Sequence, residues 1–356
     1  MNFDLTEERQ MLADTLRRYI AGSYAVEHRN KVAYDAPYHD PSKWAEMAEL
    51  GIPGALVTEE AGGFGGAGFD IAVVFEELGR GICPEPFLGT AMASRLLTAA
   101  GADQEALVSG ETIYAVAMGE VDAPYDLDGI ETEARQSGEA WALSGRKAVV
   151  YGGQAAGVFL VAAKAGGKLS LFSVKAEDAQ VLPYAMMDGG GAAEVMLDGT
   201  PGALLLEDAA AAFEDARNAG IVALCAEAVG AMDVSHAMLL DYLRTRKQFG
   251  RPIGTFQVLQ HRAVDMLTEI EQARSITIAA AAALDGADAS RMASMAKNLI
   301  GRAARLNAEE SIQMHGGIAM TWEYPGSHYA KRLVMIDAQL GDTDWHLHRI
   351  MSGLAA

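Results

Sequence analysis

Cysteine is nearly absent from this sequence: Cys83 and Cys225 are the only two among 356 residues, and neither has a CxxC partner. A disulfide framework is therefore excluded and a reducing cytoplasm fits. Each lies among apolar or turn residues and reads as a small buried hydrophobe. Basic side chains are also scarce, with 28 Lys and Arg against 48 Asp and Glu and a formal net charge of −20. A chain of that charge repels nucleic acid and anionic membrane surfaces. It does not exclude an anionic ligand, because a few local arginines outweigh a distant average. The opening MNFDLTEE lacks the basic and apolar regions of a secretory signal. Apolar stretches are Ala-rich and interrupted by charge, so no run of roughly 18–20 residues is read as a membrane span, and a soluble protein is expected. No G-x-S-x-G elbow and no metal-ligand cluster is found; His346 and His348, two apart, fall on different helix faces.

What is present is organised by period. Half of the residues are hydrophobic, enough for a sizeable core. Residues 2 to about 108 read as helical: Thr6 is an N-cap, Leu12, Leu16 and Tyr19 share a face, and Asp40-Pro41 starts a further helix. Gly51-Ile52-Pro53-Gly54 stops it, helical stretches follow from about Asp70 to Leu78 and Gly89 to Ala99, and Cys83-Pro84-Glu85-Pro86 separates them. Between about Glu111 and Glu207 short strand-like runs alternate with Gly, Asp, Ser and Pro clusters, at residues 112–118, 140–143, 148–151, 158–162, 169–174 and 193–197. Long Ala-rich helices over about 214–246, 256–284, 289–314 and 329–352 suggest an antiparallel bundle. The expected fold is α+β, mainly α, in three domains: helical 1–109, β 110–207 and helical bundle 208–356.

Four constellations could carry chemistry. Gly63-Phe64-Gly65-Gly66-Ala67-Gly68 matches G-x-G-x-x-G, but no clear strand precedes it, so a flexible loop between helices is preferred to a dinucleotide fingerprint. Arg244, Arg246, Lys247 and Arg251 form a basic patch in an acidic chain; phosphate binding and compensation of a helix dipole both account for it. Gln313-Met314-His315-Gly316-Gly317 ends a long helix, either as a cap or as a backbone open to close approach by a ligand. Glu227 is the only charged residue in Ala219–Met232. A lone buried carboxylate has a raised pKa and could act as a base; a hydrogen-bonded structural carboxylate is the other reading.

Taken together and in order, these features resemble the acyl-CoA dehydrogenases over essentially the whole chain. The resemblance is carried by Glu76-Glu77-Leu78-Gly79, the GRK at Gly145–Lys147, RKQFG at 246–250 and QMHGGI at 313–318. Within that family, AEAVG at 226–230, RKQFGRPIGTFQVLQH at 246–261 and LGDT at 340–343 look most like the small subunit of pimeloyl-CoA dehydrogenase, whose relatives occur in heteromers acting on dicarboxylyl or steroid side-chain thioesters. The resemblance implies a helical domain, a β-barrel-like domain and a four-helix bundle, with FAD as cofactor. It implies that Arg246 and Gln248 hold the FAD diphosphate of a neighbouring subunit, with Phe249, Phe256, Gln257, Gln313, Gly316 and Gly317 around the nucleotide and Thr343 beside the flavin. It implies an acyl-CoA substrate, an electron-transferring flavoprotein as acceptor, and a homologous partner subunit in a tetramer. Two departures stand out. Gly341 replaces the glutamate of the family's Y-E-G-T turn, which leaves Glu227 as the candidate base and Asp342 as runner-up. The T-E-P-x-x-G-S-D loop is unrecognisable around Gly119–Asp128. The expected activity is α,β-dehydrogenation of an acyl-CoA to a trans-2-enoyl-CoA by one subunit of a heteromer; a non-catalytic partner that completes the FAD site, and an acyl-CoA oxidase, are the alternatives.

Overall fold

A computed structural model describes residues 5–138 and 140–355; Met1–Asp4 of the opening segment lie outside them. The first helices are α1 Glu7–Ser23, α2 Val26–Tyr34, α3 Pro41–Glu49, α4 Ile52–Ala55, α5 Gly68–Gly81, α6 Phe87–Ala100 and α7 Glu105–Val108. Strands follow: β1 Tyr114–Ala117, β2 Glu133–Ser137, β3 Ala140–Tyr151, β4 Val158–Ala165, β5 Lys168–Lys175, β6 Gln180–Ala185 and β7 Gly191–Leu206. The chain then forms α8 Ala210–Thr245, a two-residue hairpin of β8 Lys247–Gln248 and β9 Arg251–Pro252, and the helices α9 Gln257–Ala283, α10 Ala289–His315, α11 Pro325–Ala338 and α12 Thr343–Ala355. The architecture is helical, then β, then helical, as the periodicity predicts.

Two compact units result. One comprises Met1–Arg29, Ala72–Cys83 and Ile221–Ala356; the other comprises Asn30–Ile71 and Pro84–Gly220.

The second unit holds the sheet. The strands run in the order β1-β4-β2-β3-β7-β5, and a further β4–β5 pairing closes β4, β2, β3, β7 and β5 into a ring. The barrel-like expectation is met. Its interior is filled by Leu143, Phe159, Val161, Phe172, Val195 and Leu197. The two segments expected at 140–143 and 148–151 are one strand, interrupted by a bulge at which Val149 takes φ +50. The runs at 133–137 and 180–185 are strands without a sequence signal: β2 is polar, and β6 contains Pro183, tolerated because β6 pairs only with β7.

The glycine-rich loop of this unit is not a free loop. The N–H groups of Gly63, Phe64, Gly65 and Gly66 donate to the carbonyls of Thr58, Gly54, Val57 and Ala55. A Cβ on Gly63 or Gly65 would overlap those same carbonyls. The glycines serve internal packing, and these four N–H groups are committed.

In the first unit Thr6 caps α1, accepting from the Arg9 N–H, and Leu16 and Ile20 are buried. Beyond Ile221, α8 is apolar around nearly its whole circumference. It is long and apolar enough to cross a membrane, contrary to the expectation from sequence, but 78% of that window is buried, as in a core helix. It crosses α5 at a reciprocal glycine notch. A Cβ on Gly79 would strike the Glu227 carbonyl, and one on Gly230 would strike the Glu76 carbonyl. An ion cluster rims the crossing. Arg80 bonds Glu76 (3.0 Å) and Asp233 (2.8 Å), Arg274 bonds the same two carboxylates at 2.8 Å, and Arg17 from α1 holds Glu77. The EELG motif is thereby explained as two ion-pair anchors and one contact glycine.

The expected single helix over 329–352 is instead α11 and α12, broken where Leu340 and Gly341 take φ +58 and +109. Cys225 is fully buried as expected, and burial pushes its thiol up to about 12.

The notch yields a stability prediction. Gly230→Ala forces two helix backbones apart and should cost about 1–3 kcal/mol or more in urea unfolding. Gly22→Ala, on a helix site where a Cβ meets nothing, should be neutral or stabilising by about 0.5–1 kcal/mol.

Candidate functional site

The candidate base and cofactor residues named from sequence fall at two places in the first unit. The first is the end of the bundle where α8 gives way to α9. The β8–β9 hairpin turns through Phe249 and Gly250, both left-handed at φ +55 and +76, which is the geometry of a two-residue hairpin loop. Arg246, Lys247, Gln248, Phe249 and Arg251 are exposed. Arg251 lies over the Phe256 ring at 4.3 Å, and Phe249 meets that ring edge-on at 6.1 Å. The Arg246 and Lys247 side chains form no ion pair with any described residue. Gln257 opens α9 and is exposed.

The Gln313–Gly317 segment joins this end. Met314 packs with Leu239, Leu243 and Met266 in one cluster, against which Ile253 at the hairpin base also packs. His315 stacks between Tyr242 (4.8 Å) and Tyr324 (5.0 Å), and Arg262 on α9 bonds Glu310 on α10. Gly316 takes φ +71, ψ −151, a conformation essentially reserved for glycine. A Cβ on Gly316 or Gly317 would meet nothing within 4 Å, and both glycines and Gln313 are exposed. Internal packing gives Gly317 no reason to be glycine. An exposed bare backbone at the bundle end that also carries these cations fits a dinucleotide diphosphate, so the residues present suit the cofactor that the resemblance implies.

The second place is the turn between α11 and α12. Thr343, which the resemblance places beside the flavin, donates through both its hydroxyl and its N–H to Asp337 Oδ1, at 2.7 and 3.1 Å, and its carbonyl accepts from Asn298. Asn298 and His315 are separated along α10 by about 25 Å at 1.5 Å per residue. Thr343 therefore does not share a patch with Gln313 and Gly316.

The Glu227 carboxylate has a partner that the sequence does not reveal. It is buried at 6% exposure, but it is not alone: both carboxylate oxygens accept from Arg332 of α11, each at 2.6 Å, and Arg332 also donates to Gln339 at 2.9 Å. A bidentate guanidinium contact of this kind is a charge-assisted pair, so the carboxylate is not the lone acid that the sequence suggests. Asp342 accepts from the Trp345 N–H at 2.8 Å and caps α12. At position 341 an added Cβ would press on the Trp345 ring and the His346 imidazole, besides the strain of φ +109. The turn has no room for the missing glutamate.

Two lysines are fully buried, and their sequence context does not announce it. Lys147, in the GRK segment, bonds Glu120 at 2.7 Å, and Glu120 also accepts from Thr132 and the Glu131 N–H. This pair fastens the unrecognisable 119–128 loop. Burial opposes the Glu120 charge, but these donors outweigh it and hold the carboxyl below its usual range. Lys297 donates to the carbonyls of Asp337 and Gly341, both at 2.7 Å, and fixes the α11–α12 turn from α10. The signal for Lys297 was a lone cation among small apolar residues.

Burial pushes Lys297 down to about 8, against the attraction of Asp337 and Asp342. Its folded pKa thus lies below its unfolded value, so the cost of burying the charge is fully present below about pH 8 and is relieved as pH rises towards the unfolded pKa of about 10.4. The stability of the native chain relative to Lys297→Met should therefore rise between pH 8 and 10 in thermal unfolding. Parallel pH profiles would contradict this.

Comparison with known proteins agrees with this geometry. Residues 6–106 match the acyl-CoA dehydrogenase N-terminal domain and residues 209–355 the acyl-CoA dehydrogenase C-terminal domain. The chain is 34% identical to acyl-CoA dehydrogenase IpdE2 of Mycobacterium tuberculosis over 331 residues, covering 92% of this chain and 91% of that one. Among solved structures it is similar to the Tcur3481-Tcur3483 steroid ACAD, with a TM-score of 0.90 and 28% identity over 98% and 99% of the two chains. The ChsE4-ChsE5 complex from Mycobacterium tuberculosis shares the fold, with a TM-score of 0.92 and 24% identity over 100% and 99%. The chain belongs to the acyl-CoA dehydrogenase family, whose members are FAD-dependent oxidoreductases.

Proposed function

We propose that this chain is one subunit of a heteromeric acyl-CoA dehydrogenase, and that it completes a flavin site whose catalytic base belongs to a homologous partner chain. One contrast carries the reading. The diphosphate patch is open and uncompensated, whereas every candidate base in the chain is committed: Glu227 to Arg332, Asp342 to the α12 cap, and Gly341 closed to any side chain. Similarity to a steroid ACAD formed by two named components supports a two-chain enzyme.

In this reading Arg246 and Gln248 contact the diphosphate, Phe249 and Phe256 give the hairpin an apolar edge against the nucleotide, and Gln313 binds beside the bare backbone of Gly316 and Gly317. Gln257 lies at the α9 start, where N–H groups favour an anion. Bound FAD supplies the two-electron acceptor for conversion of an acyl-CoA to a trans-2-enoyl-CoA, with an electron-transferring flavoprotein as the onward acceptor. The residues of this chain orient and hold; none of them moves the α-proton. A steroid-derived or dicarboxylyl thioester is the substrate class to test first.

The chain purified alone should be colourless and should become yellow when co-purified with a homologous chain that bears the Y-E-G-T glutamate. Arg246→Gln should weaken FAD retention in that complex by about 10- to 100-fold, the range of a lost charge-assisted hydrogen bond. Flavin absorbance from the isolated chain would overturn the partner role.

Glu227→Gln should lower stability by about 3–5 kcal/mol by leaving Arg332 buried without its counter-charge. In complex that remains folded, substrate-driven flavin reduction should stay within about threefold of the parent rate, a ΔΔG‡ of under 1 kcal/mol. Loss of reduction with FAD still bound would restore Glu227 as the base.

A further inference from the structure

Several polar side chains inside the bundle of the first unit find partners within it. His236 of α8 reaches the Ala263 carbonyl at 3.0 Å, Thr277 of α9 donates to the Ala273 carbonyl at 2.8 Å, and His315 of α10 bonds the Ser311 carbonyl through Nδ1 at 2.7 Å. Ser235 of α8 and Asn307 of α10 differ. Each is 1% exposed, yet neither the Ser235 hydroxyl nor either amide atom of Asn307 forms a hydrogen bond with any described residue. Protein interiors seldom leave such groups unbonded, because removing them from water without compensation is costly.

The two residues belong to one seam. Helix α9 sets the level: His236, next to Ser235, meets Ala263, and Glu310, less than one turn beyond Asn307, meets Arg262 of the same helix. Further along, Tyr242 stacks on His315, so α8 and α10 run parallel and in step. The faces agree as well. Asn307 stands two turns before Met314, whose cluster includes Leu239 and Leu243, and Ser235 stands one turn before Leu239. The side chains around Asn307 on α10 are small: Ala303 and Ala304 one turn before it and Ala308 after it, all buried.

We infer that Ser235 and Asn307 bind a water molecule enclosed between α8 and α10. A hydroxyl and a carboxamide each donate and accept, so both ends of such a bridge can be satisfied by one small molecule that does the same. The occupant has to be small and neutral. At 1% exposure of both residues nothing larger than water enters without opening the bundle. No group of three His, Cys, Asp or Glu side chains among the described residues could hold a metal ion. The bridge ties α8 to α10 below the bundle end that carries Gly316 and Gly317. It does so through uncharged groups, whereas α8 is tied to α11 by the Glu227–Arg332 ion pair.

The test uses the full chain. A crystal structure that resolves ordered solvent should show a water within hydrogen-bond distance of both the Ser235 hydroxyl and the Asn307 amide. In solution, water magnetic relaxation dispersion should lose the contribution of about one long-lived water in the double variant Ser235→Ala/Asn307→Leu. The melting-temperature shifts of Ser235→Ala and Asn307→Leu should not add. The double variant should melt about 2 °C or more above the value their sum gives, because each single change strands the other side chain's partner. A direct bond between the hydroxyl and the amide, with no water between them, would overturn the site. An undiminished dispersion amplitude in a folded double variant would do the same. Additive shifts would also sink it, since they put the two side chains beyond reach of a shared molecule. The crystal of the unaltered chain decides the matter even where a variant does not fold.

Discussion

A carboxylate charge on an apolar helix is costly to bury without a counter-charge, and Arg332 supplies one to Glu227. The consequences extend well past the pair. Arg332 fixes α11 against α8, and another of its N–H groups reaches Gln339 at the start of the α11–α12 turn. Lys297 takes the Asp337 and Gly341 carbonyls from the other side, and Asp337 holds both the N–H and the hydroxyl of Thr343. A turn gripped from so many directions has one shape, with Leu340 and Gly341 in left-handed conformations. The space beside Gly341 is then filled by Trp345 and His346. The missing family glutamate is thus more than a substitution at one position; the surroundings have closed over it.

The glycine notch does for α5 and α8 what the ion pair does for α8 and α11. Backbones in contact at Gly79 and Gly230 leave no slack in helix spacing, and the Glu76–Arg80–Asp233–Arg274 cluster fixes rotation about the contact. Between them, these contacts define α8 on two sides and leave its far end to carry the hairpin. The machinery that binds and the machinery that stabilises are therefore largely separate sets of residues.

Much of this was legible in the sequence. The change from helical to strand period, the caps at Thr6 and Asp40, and the clustered cations before Gly250 were all local signals, and all correspond to structure. What failed was non-local. Arg332 lies 105 residues from Glu227, and no window of sequence relates them, so an isolated acid looked like a poised one. Likewise β2 and β6 exist because neighbouring strands supply hydrogen bonds, not because EARQS or QVLPYA prefers extension. The break at Leu340–Gly341 was hidden by apolar residues on both sides that continue a helical pattern. The Asp337 carboxylate that holds the Thr343 hydroxyl is likewise not marked by the motif in which Thr343 lies.

Helix α10 joins the two places of interest, with Asn298 and Lys297 at the turn near one end and His315 beneath the bare glycines at the other. It is a continuous 27-residue helix, so it acts as a ruler and as a protractor. Each residue advances its axis by about 1.5 Å and rotates it by about 100°. Deleting or inserting one residue between these ends would barely alter their separation but would swing the glycine step a quarter-turn away from the hairpin, whatever its sequence.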